Sequence, residues 1–247
     1  MEGLVLRLID YGESDQITRL FLKEAGVISA IAKGIKRSKR RFPHHLEPFR
    51  VYSFKFRKKP TQNLYWIQTA DQVAIFTGIM EDIRKIALGN FFSEIILKAV
   101  KEGHPQPDLY SFILSLYRSL EQVEEITPLW FYSEIHIMRF LGFLPNFETC
   151  LRCKTPILRD EANRFDPSHG GIICPRCQLD AGKVGINIGS EELGILQFLK
   201  NSPIQAVSRL RITKNARTVI EPILKAFITY QLEQPIKSLS FLKEVME

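Results

Sequence analysis

No stretch of this sequence approaches the ~20 consecutive apolar residues that a membrane-spanning helix needs. The longest candidates are broken by Ser, Glu, Lys or Gly. A secretory leader is not expected, because Met1-Glu-Gly-Leu places an acid where a signal peptide carries positive charge. The expected location is therefore the compartment of synthesis, the cytoplasm, with no membrane partner. Cysteine is scarce, four residues in 247, too few for a disulfide scaffold in a chain of this length. There is no P-loop, no Gly-rich dinucleotide fingerprint, no His-Glu-x-x-His and no Gly-x-Ser-x-Gly. The sequence does not read as an enzyme. What is present is an ordinary globular composition, 45% hydrophobic and 25% charged, which excludes global disorder. The length allows one large domain or two ordinary ones.

Residues 1 to about 75 read as strands. Gly3 to Ile9, Ile17 to Leu22 and Val27 to Ala32 are apolar and separated by turn-sized polar clusters. Arg50 to Arg57 alternates, with Tyr52, Phe54 and Phe56 on one face and Ser53, Lys55 and Arg57 on the other. A turn over 58–63 leads to a fifth strand, Leu64 to Thr69. Five short strands in such a length fit a small barrel, whose closure removes exposed sheet edges, and the OB-fold is the five-stranded candidate. From residue 79 the apolar spacing becomes helical. Helices are expected over Ile79 to Val100, Leu109 to Val123, and Thr127 to Leu141, the last with Thr127 as N-cap and Pro128 behind it. Trp130, Phe131, Ile135 and Met138 mark that third helix as central. Two more are expected, from Ser190 to Lys200 and from Thr218 to Leu232, with Pro222 near the start of the latter or kinking it. The fold class is α+β: an OB-fold barrel over 1–78, then an α-helical domain over 79–247 with a metal knuckle at 150–177.

The cysteines fall as Cys150-Leu-Arg-Cys153 and Cys174-Pro-Arg-Cys177. Two residues between thiols let one tight turn aim both sulfurs at one ion, and two such turns complete a tetrahedral site. One structural Zn²⁺ is expected; with four protein ligands, no position remains for a reactive water. His169, in the intervening loop, reads as a turn residue. Arg152, Lys154 and Arg176 either offset the thiolate charge or form a second basic surface.

The net charge of +7 is unevenly distributed. Lys33, Lys36, Arg37, Lys39, Arg40, Arg41, Arg50, Lys55, Arg57, Lys58 and Lys59 face a single acid, Glu47, giving this segment +10 while the remainder carries −3. Such asymmetry suits a polyanion. The bland alternative is a solvated loop or a localisation signal. Placed among barrel strands, these cations would instead line a groove that follows a nucleic-acid backbone with salt-sensitive, largely sequence-independent affinity. Of Tyr65 and Trp66, one must point outward and is the better candidate for stacking on bases. Two other classes stay open. A zinc-containing transcription regulator would read bases through a helix. A nuclease would need Asp10, Glu13 and Asp15 to hold Mg²⁺.

Several segments resemble the bacterial RecO family of recombination mediators, in its zinc-containing form. They are Val5-Leu-Arg-Leu-Ile-Asp-Tyr-Gly-Glu-Ser-Asp15; Gly26-Val-Ile-Ser-Ala-Ile-Ala-Lys-Gly34 with the basic run behind it; and Leu46-Glu-Pro-Phe49. The span from Glu134 to Gly142 leading through Phe143-Leu-Pro to Cys150-Leu-Arg-Cys153 is similar as well, as is Pro235-Ile-Lys-Ser238 with Phe241-Leu242. The resemblance implies an N-terminal OB-fold, a helical domain and a zinc site. It also implies a non-enzymatic role in DNA repair and recombination: binding single- and double-stranded DNA and annealing complementary strands. With RecR, such a protein helps load RecA onto DNA coated by single-strand-binding protein, whose C-terminal tail is a further implied partner. Nucleoid association in the cytoplasm follows from that role.

Overall fold

The computed structural model describes residues 1–43, 45–58, 64–181 and 185–246. The chain divides into two compact units, Met1–Gln122 with the segment from Ile236 onward, and Val123–Pro235. In the first, β1 (Glu2–Tyr11), β2 (Asp15–Leu22), β3 (Gly26–Ala32), β4 (Arg50–Lys58) and β5 (Tyr65–Ile75) close into a barrel in the order β1-β2-β3-β5-β4. Neighbours are antiparallel except β3 and β5, which run parallel through the pairs Ala30–Tyr65 and Ile31–Trp66. This is the closed, OB-like barrel expected from the five β segments, with longer strands. Val5, Leu20, Ile28, Ala30, Tyr52 and Phe54 fill it, and Phe56 packs partly buried against them. Leu4, Leu6 and Phe21, on the opposite face, are buried too. Phe21 meets Tyr110 edge-on, with ring centroids 5.5 Å apart. Cover on both faces explains why β1 reads as an unbroken apolar run and not as an alternation.

The link between β3 and β4 is more than a solvated loop. Ile35, Phe42 and Leu46 insert into the barrel core, while the cations between them stay at the surface. Gly34 opens this turn with φ of 66°, a conformation costly for other residues, and its N–H donates to Asp15 Oδ1 at 2.8 Å. Its carbonyl accepts from Arg37 and Ser38 N–H at 3.1 and 2.9 Å.

Helices follow. The single helix expected from Ile79 is two elements, α1 (Thr77–Met80) and α2 (Ile83–Ala99), because Asp82 starts a new helix by accepting the Arg84 N–H at 2.9 Å. α3 (Pro107–Gln122) takes in Pro107 and Asp108 ahead of the expected start at Leu109. In the second unit α4 (Thr127–Phe140) is central, with Trp130, Phe131, Ile135 and Met138 fully buried. Thr127 does not cap it: Ile126 holds that position, and Glu125 Oε1 accepts the Thr127 N–H at 3.1 Å. β6 (Asn146–Cys150), β7 (Asn163–Asp166), β8 (Gly171–Ile173) and β9 (Ile186–Ile188) form a sheet in the order β6-β8-β7-β9, with α5 (Pro175–Ala181) after β8. The helical half therefore also carries a sheet, whose strands of three to five residues are too short to show a period. α6 (Ser190–Asn201) and α8 (Lys214–Leu232) pack on α4, with α7 (Ile204–Val207) between them in sequence. Gly189, not Ser190, caps α6, and Thr213 starts α8 four residues before the expected position by accepting the Ala216 N–H at 3.1 Å. Pro222 lies inside α8.

α9 (Lys237–Met246) packs against α2 in the barrel unit. Its start is held by Glu94 of α2, whose carboxylate accepts the N–H groups of Lys237 and Ser238 at 3.0 and 2.7 Å and the Ser238 hydroxyl at 2.6 Å. Burial pushes the Glu94 carboxyl up, but these bonds and the Lys98 ammonium hold it below the ordinary glutamate value. A depressed carboxylate contributes stability above its unfolded pKa, and that contribution is lost as pH falls through its folded one. Glu94→Ala should therefore cost about 1–3 kcal/mol near neutral pH. Urea melts of the two proteins should converge in acid, where wild-type Glu94 is protonated.

Candidate metal centre and nucleic-acid interface

The first knuckle forms where β6 ends. The Lys154 N–H donates to Cys150 O at 3.1 Å and the Cys150 N–H to Thr155 O at 2.9 Å, folding residues 150–155 into a tight turn with Lys154 left-handed at φ 61°. The second forms where β8 runs into α5, as the Cys177 and Gln178 N–H groups turn back on Cys174 O at 3.0 and 3.2 Å. β6 and β8 are paired neighbours, which brings the two knuckles together. The four Sγ atoms lie within 4.8 Å of one another, and Cys153 and Cys174 are 3.7 Å apart. Bonds of ~2.3 Å to a tetrahedral centre put thiolates ~3.8 Å apart, so the set fits such an ion.

The thiols are not equivalent. The Thr155 hydroxyl, 3.0 Å from Cys153 Sγ, and the Thr155 N–H pull Cys153 down to about 6. Partial burial and three neighbouring sulfurs push Cys177 up to about 12. Packed this closely, four thiols cannot all ionise alone, and a cation at their centre removes that opposition. Backbone N–H groups of Arg152, Cys153 and Cys174 aim at Cys150 Sγ, the last at 3.5 Å. His169 stays in its turn, Nδ1 2.9 Å from Asp166 Oδ2, and is not among the clustered ligands. Arg152, Lys154 and Arg176 are exposed, with Lys154 Nζ bonded to Leu151 O at 2.7 Å.

The basic segment divides by the company each cation keeps. Lys39, Arg40, Lys55 and Arg57 are exposed and have no ion-pair partner among the described residues. Lys33, just beyond β3, holds its Nζ 4.6 Å from the centroid of the Trp66 ring. Lys36 pairs with Asp10 at 2.9 Å and Arg37 with Glu13 at 3.0 Å. Arg41 donates to Lys33 O at 2.8 Å and to Ser38 Oγ at 3.3 Å, bracing the loop. Arg50 is half-buried, paired with Glu47 and bonded to Gln72 Oε1 at 3.0 Å. Of Lys58 only the backbone is described, as the end of β4, and Lys59, with the rest of the turn expected up to residue 63, lies outside the described residues. Tyr65 turns inward against the core, so Trp66 is the outward member of that pair.

Two family models match the chain: recombination protein O N terminal over residues 1–76 and recombination protein O C terminal over residues 80–240. The chain belongs to the recombination protein O family. It is 30% identical over 256 residues to the DNA repair protein RecO of Myxococcus xanthus, covering 99% of this chain and 96% of that protein. The protein of the same name from Geobacter metallireducens is 30% identical over 246 residues, with 99% and 96% covered. That from Anaeromyxobacter dehalogenans is 26% identical over 245 residues, at the same coverage.

Within this recombination protein O fold, the acids that raised the nuclease reading have another use. Asp10 and Glu13 each take one cation of the basic loop, and Asp15 takes the Gly34 N–H. Ser14 O adds an acceptor for the Lys36 N–H at 3.2 Å. The Lys36 ammonium, then Gln16, hold the Asp10 carboxyl below its ordinary range. The three carboxylates clasp the loop to the β1–β2 turn and do not converge on a common point. The segment's charge is thus lower than its sequence count, by two acids, Asp10 and Glu13, that lie well upstream of their partners Lys36 and Arg37. A pairing across strands of the barrel leaves no local signal in the sequence.

Proposed function

We propose that this protein is a non-enzymatic mediator of DNA repair and recombination, cytoplasmic and nucleoid-associated. It binds single- and double-stranded DNA through the barrel, anneals complementary strands and, with RecR, helps load RecA onto DNA coated by single-strand-binding protein. That protein's C-terminal tail docks on the helical half of the chain. Lys39, Arg40, Lys55 and Arg57, with Lys33, are the phosphate contacts. The four cysteines hold one structural Zn²⁺, for which soft thiolates in tetrahedral array are the preferred donors. The observation that carries the reading is a set of exposed cations, without an ion-pair partner among the described residues, on an OB-like barrel in a chain of this family. Annealing needs one surface to screen two phosphate backbones at separations where salt alone does so poorly, and concentrated fixed cations supply that. Purified protein should co-elute with its cognate RecR and speed the pairing of complementary strands coated with single-strand-binding protein. Sequence-selective duplex binding with no annealing would favour the regulator instead.

A further inference from the structure

We propose that the outer face of the barrel holds a stacking groove for an unpaired nucleobase, so that single strands are gripped by a base as well as by phosphates. The inference rests on the nucleic-acid reading above and adds a site to it. The barrel register places Ile9 opposite Ile17, Ile17 opposite Ile31, Ile31 opposite Trp66, and Trp66 opposite Arg57. Directly paired residues share a face, so these five side chains form one row across all five strands. The row points away from the core, which is built from the alternate positions Leu20, Ile28, Ala30 and Ile67. Apolar side chains on that outer face are not needed to fill the barrel, yet Ile9 stays 46% exposed and Tyr11, two residues on, 55%.

Beside this row lies a groove of about 550 Å³ lined by Tyr11, Ile31, Trp66, Lys33 and Glu102. Its parts differ in what they admit. Trp66 and Tyr11 offer aromatic surface, on which any base stacks. Lys33, above the Trp66 ring, and Arg57, opposite Trp66 in the register, put cations at its border, where the phosphates of a stacked nucleotide would lie. Glu102 reaches the groove from the α2–α3 link, its carboxylate fixed by the Ser29 N–H at 2.9 Å and by Arg19 at 3.3 Å. A fixed anion on one wall repels phosphate, so the backbone must run on the Lys33–Arg57 side with its base turned inward. A paired base in a duplex cannot make that turn without being pulled from its stack. The groove therefore adds affinity for single strands only.

The chain's tryptophans test this directly, because there are two and Trp130 is fully buried. The full-length protein is titrated with a single strand and with its blunt duplex, following tryptophan emission and probe anisotropy. The single strand should quench Trp66. Tyr11→Ala and Trp66→Leu should weaken single-strand binding by about fivefold to a hundredfold and leave duplex binding unchanged, and Trp66→Phe should recover most of the loss. Tyr11 is more than half exposed, so its variant remains informative even if Trp66→Leu folds poorly. Equal losses on both DNAs, no loss on either, or no quenching in the wild type would overturn the groove while leaving the charge patch standing. An apolar peptide competing for the quenched site in place of DNA would reassign it to a protein partner. A wild type that binds neither DNA would overturn the underlying reading and this one with it.

Discussion

Replacing Lys39, Arg40, Lys55 and Arg57 together by Glu is expected to lower DNA affinity by about three orders of magnitude or more, at ~1 kcal/mol for each phosphate no longer held. The plot of log affinity against log salt should flatten by roughly 0.9 per released phosphate on duplex. Single strands and duplexes should both be weakened, whatever their base composition, because phosphate contacts carry no sequence code. These four are the right positions because no acid pairs with them among the described residues, so reversing them breaks no ion pair described there. Lys36 and Arg37 are poor choices despite lying in the same run. Glu at either would face Asp10 or Glu13 and release the loop from the β1–β2 turn, mixing a folding defect into the binding result. The same geometry supplies a control of opposite sign: Asp10→Asn with Glu13→Gln frees two cations and should tighten binding. Salt series of binding isotherms, with melting temperatures, read all of these. Unchanged affinity and slope in the folded quadruple variant would move the DNA site elsewhere, with Arg152, Lys154 and Arg176 next to be tested.

How far the sequence carries this depends on whether the forces involved are local. The barrel strands were legible because Tyr52, Phe54 and Phe56 alternate with Ser53, Lys55 and Arg57 over a full strand, and side-chain alternation needs nothing beyond the strand itself. α4 was legible for the same reason. The cysteine site was legible because two-residue spacing constrains a turn whatever surrounds it. The β6–β9 sheet was not, since three residues such as Gly171–Ile173 cannot establish a period. α9 was hidden because its start relies on Glu94, more than a hundred residues upstream, in place of a capping residue of its own. The basic loop was half legible. Its cations were plain, but a run so rich in Lys and Arg hid Ile35, Phe42 and Leu46, whose burial anchors the loop to the barrel. Trp66 was narrowed to one of two residues, and the packing of Tyr65 against the barrel core shows which one faces out.

The largest effect on stability is expected at the cysteines. Cys150 and Cys174 are buried and sit at the ends of paired strands, so an ion held by them with Cys153 and Cys177 would join β6 to the start of α5. Structural zinc in small knuckles contributes an apparent ~10–16 kcal/mol near neutral pH, comparable with or larger than the whole ~5–15 kcal/mol that holds a domain folded. Cys150→Ser or Cys174→Ser leaves three thiolates crowded in a half-buried site with no ion to neutralise them, so the loss exceeds that of one bond. Wild-type protein purified under reducing conditions should hold one zinc per chain. Each variant should hold little, and residues 146–181 should become sensitive to protease. A strong chelator should produce the same pattern in the wild type, slowly, because the buried thiols must open before the ion leaves. All four cysteines lie between residues 150 and 177, so the barrel has no ligand to lose and should keep its DNA affinity in both experiments. Folded, protease-resistant wild type without zinc would overturn the metal assignment. Variants that lost DNA affinity in step with their zinc would instead tie the knuckle to binding.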